Sequence, residues 1–182
     1  VYKRQILGTT SIAGTLTPTD STYPTGSPGD AEVATFASIT STVVSDASEG
    51  SQAARLVSTG VQSSSFAVVR GPAIYTNLAA ALETSDTVSF DWKAENGADS
   101  FDVFGYFVNE TTGNTYTVLN ETGTTSTWQT VTFSIPEEGA YRFVFISGSY
   151  DETGGQALGA SLYLDNILVN ADLSACEALQ NQ

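Results

Sequence analysis

Apolar and polar residues alternate in short runs along most of this chain, with turn residues between the runs. In Thr87-Val88-Ser89-Phe90-Asp91-Trp92-Lys93, one face carries Val88, Phe90 and Trp92, and the other carries Ser89, Asp91 and Lys93. A period of two predicts a half-buried strand. Val131, Phe133 and Ile135 alternate in the same way. Phe101 to Val108 is apolar on both faces apart from Asp102, and Tyr141 to Ile146 is also two-sided, so both are expected to be central strands.

The turns fit between these runs. Glu95-Asn96-Gly97-Ala98 tolerates positive φ at Asn-Gly, and Pro136-Glu137-Glu138-Gly139 puts proline where a turn favours it. Thr111-Thr112-Gly113-Asn114 leads into Thr115 to Leu119 as a hairpin. The last strand, Ser161 to Val169, is read with Leu162 and Leu164 on one face and Tyr163, Asp165 and Ile167 on the other. Strands at Val33 to Val43, Ala53 to Ser58 and Phe66 to Arg70 are less periodic. The Ala-rich Leu78 to Leu82 fits one helical turn, and Asp172 to Leu179 fits a short terminal helix capped by Asp172.

Many short strands at turn-punctuated spacing predict an all-β fold, a two-sheet antiparallel jelly-roll sandwich. The 182 residues suit one domain with a sizeable core and need no disulfide staple. Residues 1–29 read as an irregular lead-in or linker, rich in Thr, Ser, Pro and Gly, residues 30–170 as the sandwich, and residues 171–182 as a tail. Val1-Tyr2-Lys3-Arg4-Gln5 holds two of the six basic residues and resembles a translated sequencing-adapter remnant from metagenomic data, so it is set aside from the fold. The chain has no methionine and is expected to be a fragment of something longer.

Composition narrows the chemistry. With no histidine and one cysteine, Cys176, the Ser-His-Asp and Cys-His sets and zinc sites cannot be assembled. A net charge of −14, from 20 acidic and 6 basic residues, repels nucleic acid and anionic membrane surfaces. It also offers oxygen ligands to hard cations and suits an extracellular setting. No apolar run approaches the ~20 residues of a membrane helix.

Residues Ala140 to Val169 combine an aromatic strand, a Gly/Asp-rich loop and a final strand ending in Leu164-Asp165-Asn166-Ile167. This resembles the C-terminal half of galactose-binding-like jelly rolls, the fold of many carbohydrate-binding modules. Val69-Arg70-Gly71-Pro72, Ser89 to Glu95 and Asp102 to Tyr106 extend the resemblance to modules repeated in large bacterial surface adhesins and some marine virion structural proteins. The resemblance implies a structural calcium held by Asp165, with Asp30 and Glu32 as counterparts where the sandwich begins. Each of these also reads as a solvated surface acid. Asp99, Asp102, Asp151 and Glu152 form a second acidic group, read as ordinary loop acids.

Tyr106, Trp128 and Tyr150 are the candidate sugar-stacking rings, read at strand edges or in loops. Trp128 is out of phase with Val131 and Phe133, which points it away from their core. Arg70 and Arg142 lie inside apolar strands and are expected to snorkel or to pair with a carboxylate such as Asp91 or Asp102. Asn109-Glu110-Thr111 and Asn120-Glu121-Thr122 match the glycosylation pattern, which matters only in a host with that machinery.

The expectation is a non-catalytic extracellular adhesion module on a cell or virion surface, calcium-stabilised, whose partners are glycans and neighbouring modules of a longer chain. A structural spacer that binds nothing is the alternative. A carboxylate-pair glycoside hydrolase is a third reading, for which no motif selects a pair among the 20 acids.

Overall fold

The structure is a computed structural model that describes residues 3–5, 11–12, 39–62, 68–76, 79–97, 99–153 and 157–170. Strands dominate these residues: β1 (Lys3–Gln5), β2 (Ser11–Ile12), β3 (Ile39–Val44), β4 (Ala53–Gln62), β5 (Val68–Tyr75), β6 (Ala80–Leu82), β7 (Thr87–Asn96), β8 (Ser100–Asn109), β9 (Thr115–Gly123), β10 (Gln129–Ser134), β11 (Gly139–Tyr150) and β12 (Ala157–Asn170). They form two antiparallel sheets packed face to face. Sheet A runs β10-β7-β12-β4-β3, with β1 also on β12, and sheet B runs β2-β5-β11-β8-β9, with β6 also on β11. Only β3–β4, β5–β6 and β8–β9 are consecutive strands of one sheet, and every other connection crosses between the sheets. Among the described residues no helix is long and apolar enough to cross a membrane.

The core lies between the sheets. Leu56, Val88, Phe90, Trp92, Leu162 and Leu164 come from sheet A, and Ile74, Val103, Phe107, Phe143 and Phe145 from sheet B. Phe107 sits among Phe90, Phe133, Phe143 and Phe145, with the Phe143 centroid at 4.4 Å and that of Phe133 at 5.3 Å, edge-on. Such ring pairs contribute about 0.5–1.5 kcal/mol each beyond their burial. Gly105 makes room for this packing: a Cβ there would stand 2.8 Å from Phe145 Cδ1 and 3.1 Å from Leu119 Cβ. A second cluster of Ala73, Phe104, Tyr106, Val144 and Ile146 lies on the opposite face of sheet B, which explains why the patterns of β8 and β11 are apolar on both sides.

Several local expectations change. Ala80–Leu82 is a strand on β11 rather than a helical turn, because pairing Ala80 to Tyr141 and Leu82 to Gly139 satisfies its backbone and buries Leu82. Two short strands, β1 and β2, fall within the lead-in that was read as irregular, and β1 includes part of the segment set aside from the fold. Ile167 joins the core with Leu162 and Leu164 instead of facing out with Tyr163. A bulge between Asp165 and Leu168, with Asn166 at φ 51°, inserts a residue and reverses the alternation. Asparagine tolerates this left-handed conformation better than most residues. The proposed terminal helix at Asp172 to Leu179 lies outside the described residues.

Candidate functional site

Register across sheet A sets side chains from distant parts of the sequence in one row. Arg55 on β4 is the cross-strand partner of Tyr163 on β12, and Tyr163 is the partner of Lys93 on β7. Strands about 4.8 Å apart make such partners neighbours on the same face. Their neighbours Leu56, Leu162, Leu164, Trp92 and Ala94 point into the core, so the row lies on the outer face. Trp128, just before β10, extends the row beside Lys93. The Lys93 ammonium is 4.4 Å from the Tyr163 ring centroid and 5.8 Å from that of Trp128, and the two rings meet edge-on at 6.3 Å. The Arg55 guanidinium lies 5.4 Å from the Tyr163 centroid on the far side of the row. Cation–ring contacts of this kind contribute about 0.5–2 kcal/mol.

Two carboxylates fasten this row. Asp46 accepts a hydrogen bond from the Trp128 indole N–H at 3.2 Å and pairs with Lys93. Glu95 pairs with Lys93 at 3.1 Å and accepts the Tyr163 hydroxyl at 2.9 Å. Burial works to lower the Lys93 pKa, but the hydrogen bonds it donates to Asp46 and Glu95 outweigh it and hold the ammonium above its ordinary value. The Lys93 and Trp128 hydrogen bonds hold Asp46 below the usual carboxylate range. Burial, then the bond to Glu95, pushes the Tyr163 phenol up. Lys93 and Tyr163 are buried, while Trp128 remains half-exposed, fixed in orientation by its N–H and its ring contact.

The next row carries a pair of acids. Asp91 and Asp165 are cross-strand partners on β7 and β12, 8% and 7% exposed. Ser48 Oγ lies 2.6 Å from Asp91 Oδ2 and 3.2 Å from Asp165 Oδ2. The backbone N–H groups of Ser48 and Glu49 donate to Asp165 Oδ2 at 2.9 and 3.1 Å, that of Asn166 donates to Asp165 Oδ1 at 2.7 Å, and the Thr130 hydroxyl donates to Asp91 Oδ1 at 2.5 Å. The loop after β3 is thus strapped over sheet A at two points, Asp46 and Ser48. Among the described residues no three His, Cys, Asp or Glu side chains converge as a metal-binding group. Asp30 and Glu32, the other expected calcium ligands, lie outside the described residues.

The three expected stacking rings do not meet. Tyr106 is 1% exposed and packs in the second cluster of sheet B, so it is no surface ring. It sits inside a strand whose pattern is apolar on both faces, and burial there was already implied. Tyr150 is half-buried at the end of β11 in sheet B, opposite Ser100, away from Trp128. Of the second acidic group, Asp102 and Asp151 are fully buried rather than loop-exposed, and Asp102 accepts from the Thr122 hydroxyl at 3.1 Å. Arg142 pairs with a carboxylate, that of Glu110, at 2.6 Å. Arg55, Lys93 and Tyr163 were missed as site residues, because only the register of β4, β12 and β7 brings them together.

No family model matches the sequence, and no curated protein matches it. Solved structures similar to this chain include carbohydrate-binding β-sandwich modules. One is the xylan-binding CBM22-1 domain of Xyn10C from Paenibacillus barcinonensis, 14% identical, covering 80% of this chain and 88% of that one, with a TM-score of 0.41. A family 30 carbohydrate-binding module is 14% identical, covering 94% of this chain and 100% of that one, with a TM-score of 0.45. The CBM22-1 and GH10 modules of Clostridium thermocellum xylanase 10B, complexed with xylohexaose, are 9% identical with a TM-score of 0.43. That overlap covers 74% of this chain, which spans 25% of the xylanase chain.

Proposed function

We propose that this chain is a non-catalytic module that binds polysaccharide on the outer face of sheet A and works outside the cell on a larger surface or virion protein. The observation that carries this is the fixing of Trp128. Its indole is held by Asp46 and packed edge-on against Tyr163, so a half-exposed ring is presented at a set angle beside polar groups. A ring immobilised before the ligand arrives spares the ordering cost of binding. A sugar's C–H face packs on such a ring, and the exposed carboxylates of Asp46 and Glu95 lie where ring hydroxyls would be read.

Calcium belongs to the same proposal as a stabiliser. The donors around Asp91 and Asp165, from Ser48, Glu49, Thr130 and Asn166, are all uncharged, so they hydrogen-bond the two buried carboxylates without neutralising them. Carboxylate and hydroxyl oxygens are the ligands a hard cation takes, so the donor chemistry fits. Asp165 and Asp91 would hold the ion, which would supply the missing positive charge.

Affinity electrophoresis against a panel of soluble polysaccharides tests the proposal. Wild type should be retarded by at least one polymer, and Trp128→Ala should run freely with an unchanged fold. Retardation of neither protein, or of both equally, would remove Trp128 as the binding residue.

A further inference from the structure

We infer that Arg55 reads a sugar carboxylate, so that the polysaccharide bound on this face is a largely neutral polymer carrying isolated uronic acid residues. The inference rests on the binding face proposed above and names what that face selects. The chain has 20 acidic residues and 6 basic ones, so a basic side chain has many acids to choose from. Three basic side chains are described in contact detail, and two of them are paired. Lys93 has Asp46 and Glu95, and Arg142 has Glu110. Arg55 meets no carboxylate among the described residues. Its Nε–H and one Nη2 hydrogen point at the same acceptor, Ser161 Oγ, at 3.2 and 3.0 Å. The Nη1 pair and the second Nη2 hydrogen remain, and these form the edge that receives a carboxylate with two parallel hydrogen bonds.

Position supports the same conclusion. Arg55 is half-buried at the end of the row that starts with Trp128, with Tyr163 and Lys93 between them. Ser161 and the Tyr163 ring hold the guanidinium in place, so among the described residues its orientation depends on no acid. Three strand spacings of about 4.8 Å separate the ends of the row, the length of a few sugar units. A polymer stacked at Trp128 therefore brings a substituent to Arg55. A densely charged polyuronate is disfavoured, because the net charge of −14, with Asp46 and Glu95 on the same face, repels it.

The test compares glucuronoxylan, the same polymer after reduction of its carboxyl groups, and polygalacturonate, using wild type, Arg55→Gln, Arg55→Lys and Trp128→Ala. Wild type should bind glucuronoxylan roughly tenfold more tightly than the reduced polymer, the scale of one charge-assisted pair. That preference should shrink with added salt. Arg55→Gln should bind the two polymers equally, and Arg55→Lys should keep part of the preference, since it keeps the charge and loses the fork. Equal binding of both polymers by wild type overturns the role of Arg55 while leaving the binding face intact. Tighter binding of polygalacturonate overturns the sparse-charge assignment. If Trp128→Ala binds all three polymers like wild type, the face itself is wrong, and the inference falls with it.

Discussion

Asp91 and Asp165 stand opposite each other on adjacent strands and converge on the single hydroxyl of Ser48. Both are more than nine-tenths buried, on the face where the loop after β3 lies across sheet A. If a cation completes this arrangement, it stabilises the folded state by RT ln(1 + [L]/Kd), about 2.7 kcal/mol at a hundredfold excess over Kd. For a domain of this size that is a rise in Tm of roughly 5–10 °C. Melting in calcium and in chelator, followed by Asp165→Asn and Asp91→Asn, measures it. Both variants should flatten the calcium response. Identical melting of wild type in calcium and chelator would mean that the hydrogen bonds from Ser48, Glu49, Thr130 and Asn166 satisfy the pair without a cation.

Glu137 makes a second, independent prediction. Hydrogen bonds from the Tyr116 hydroxyl, Thr112 and Asn114 hold its carboxyl at about 2, against an ordinary value of 4.5. These bonds tie the turn before β11 to the β8–β9 hairpin, at 2.7 Å from Tyr116 and from Thr112 and at 2.9 Å from Asn114. A lowered folded pKa means stability that is present above the unfolded value and lost as pH falls through the folded one. The Tm difference between wild type and Glu137→Gln should therefore be steady near neutrality and shrink as pH falls from about 4.5 towards about 2. A difference independent of pH would assign the effect to shape rather than charge.

Gly105 should tolerate no side chain. The Cβ of Gly105→Ala would press on the Phe145 ring, which is itself packed 4.8 Å from Phe90. Overpacking of this kind costs about 1–3 kcal/mol, or roughly 2–12 °C in Tm. Calorimetry checks this. An unchanged Tm would show that the ring has room to move.

Most of the architecture is legible in the residues, and the failures have physical causes. The alternation in β7 and the two-sided character of β8 and β11 mark their places, because periodicity reports burial directly. The face of Ile167 was misread, because one inserted residue at Asn166 reverses alternation and leaves no trace in composition. Trp128 was visible from its phase against Val131 and Phe133. The row it belongs to was not, since Arg55 and Tyr163 are brought together by strand register rather than by any local pattern. Asp165 was selected as a metal ligand by resemblance alone. Its partner Asp91, on a strand already recognised, could not be matched to it without the sheet order.

The claim that a fixed Trp128 is the sugar-binding ring is tested most directly by the two tryptophan indole N–H resonances in an NMR titration with a xylan oligosaccharide. Trp92 is in the core and serves as the internal control. The account predicts a saturable shift of the Trp128 resonance, as its bond to Asp46 responds to a sugar stacked on the ring, while Trp92 stays still. Saturable binding seen elsewhere in the spectrum with both indole resonances unmoved would contradict it.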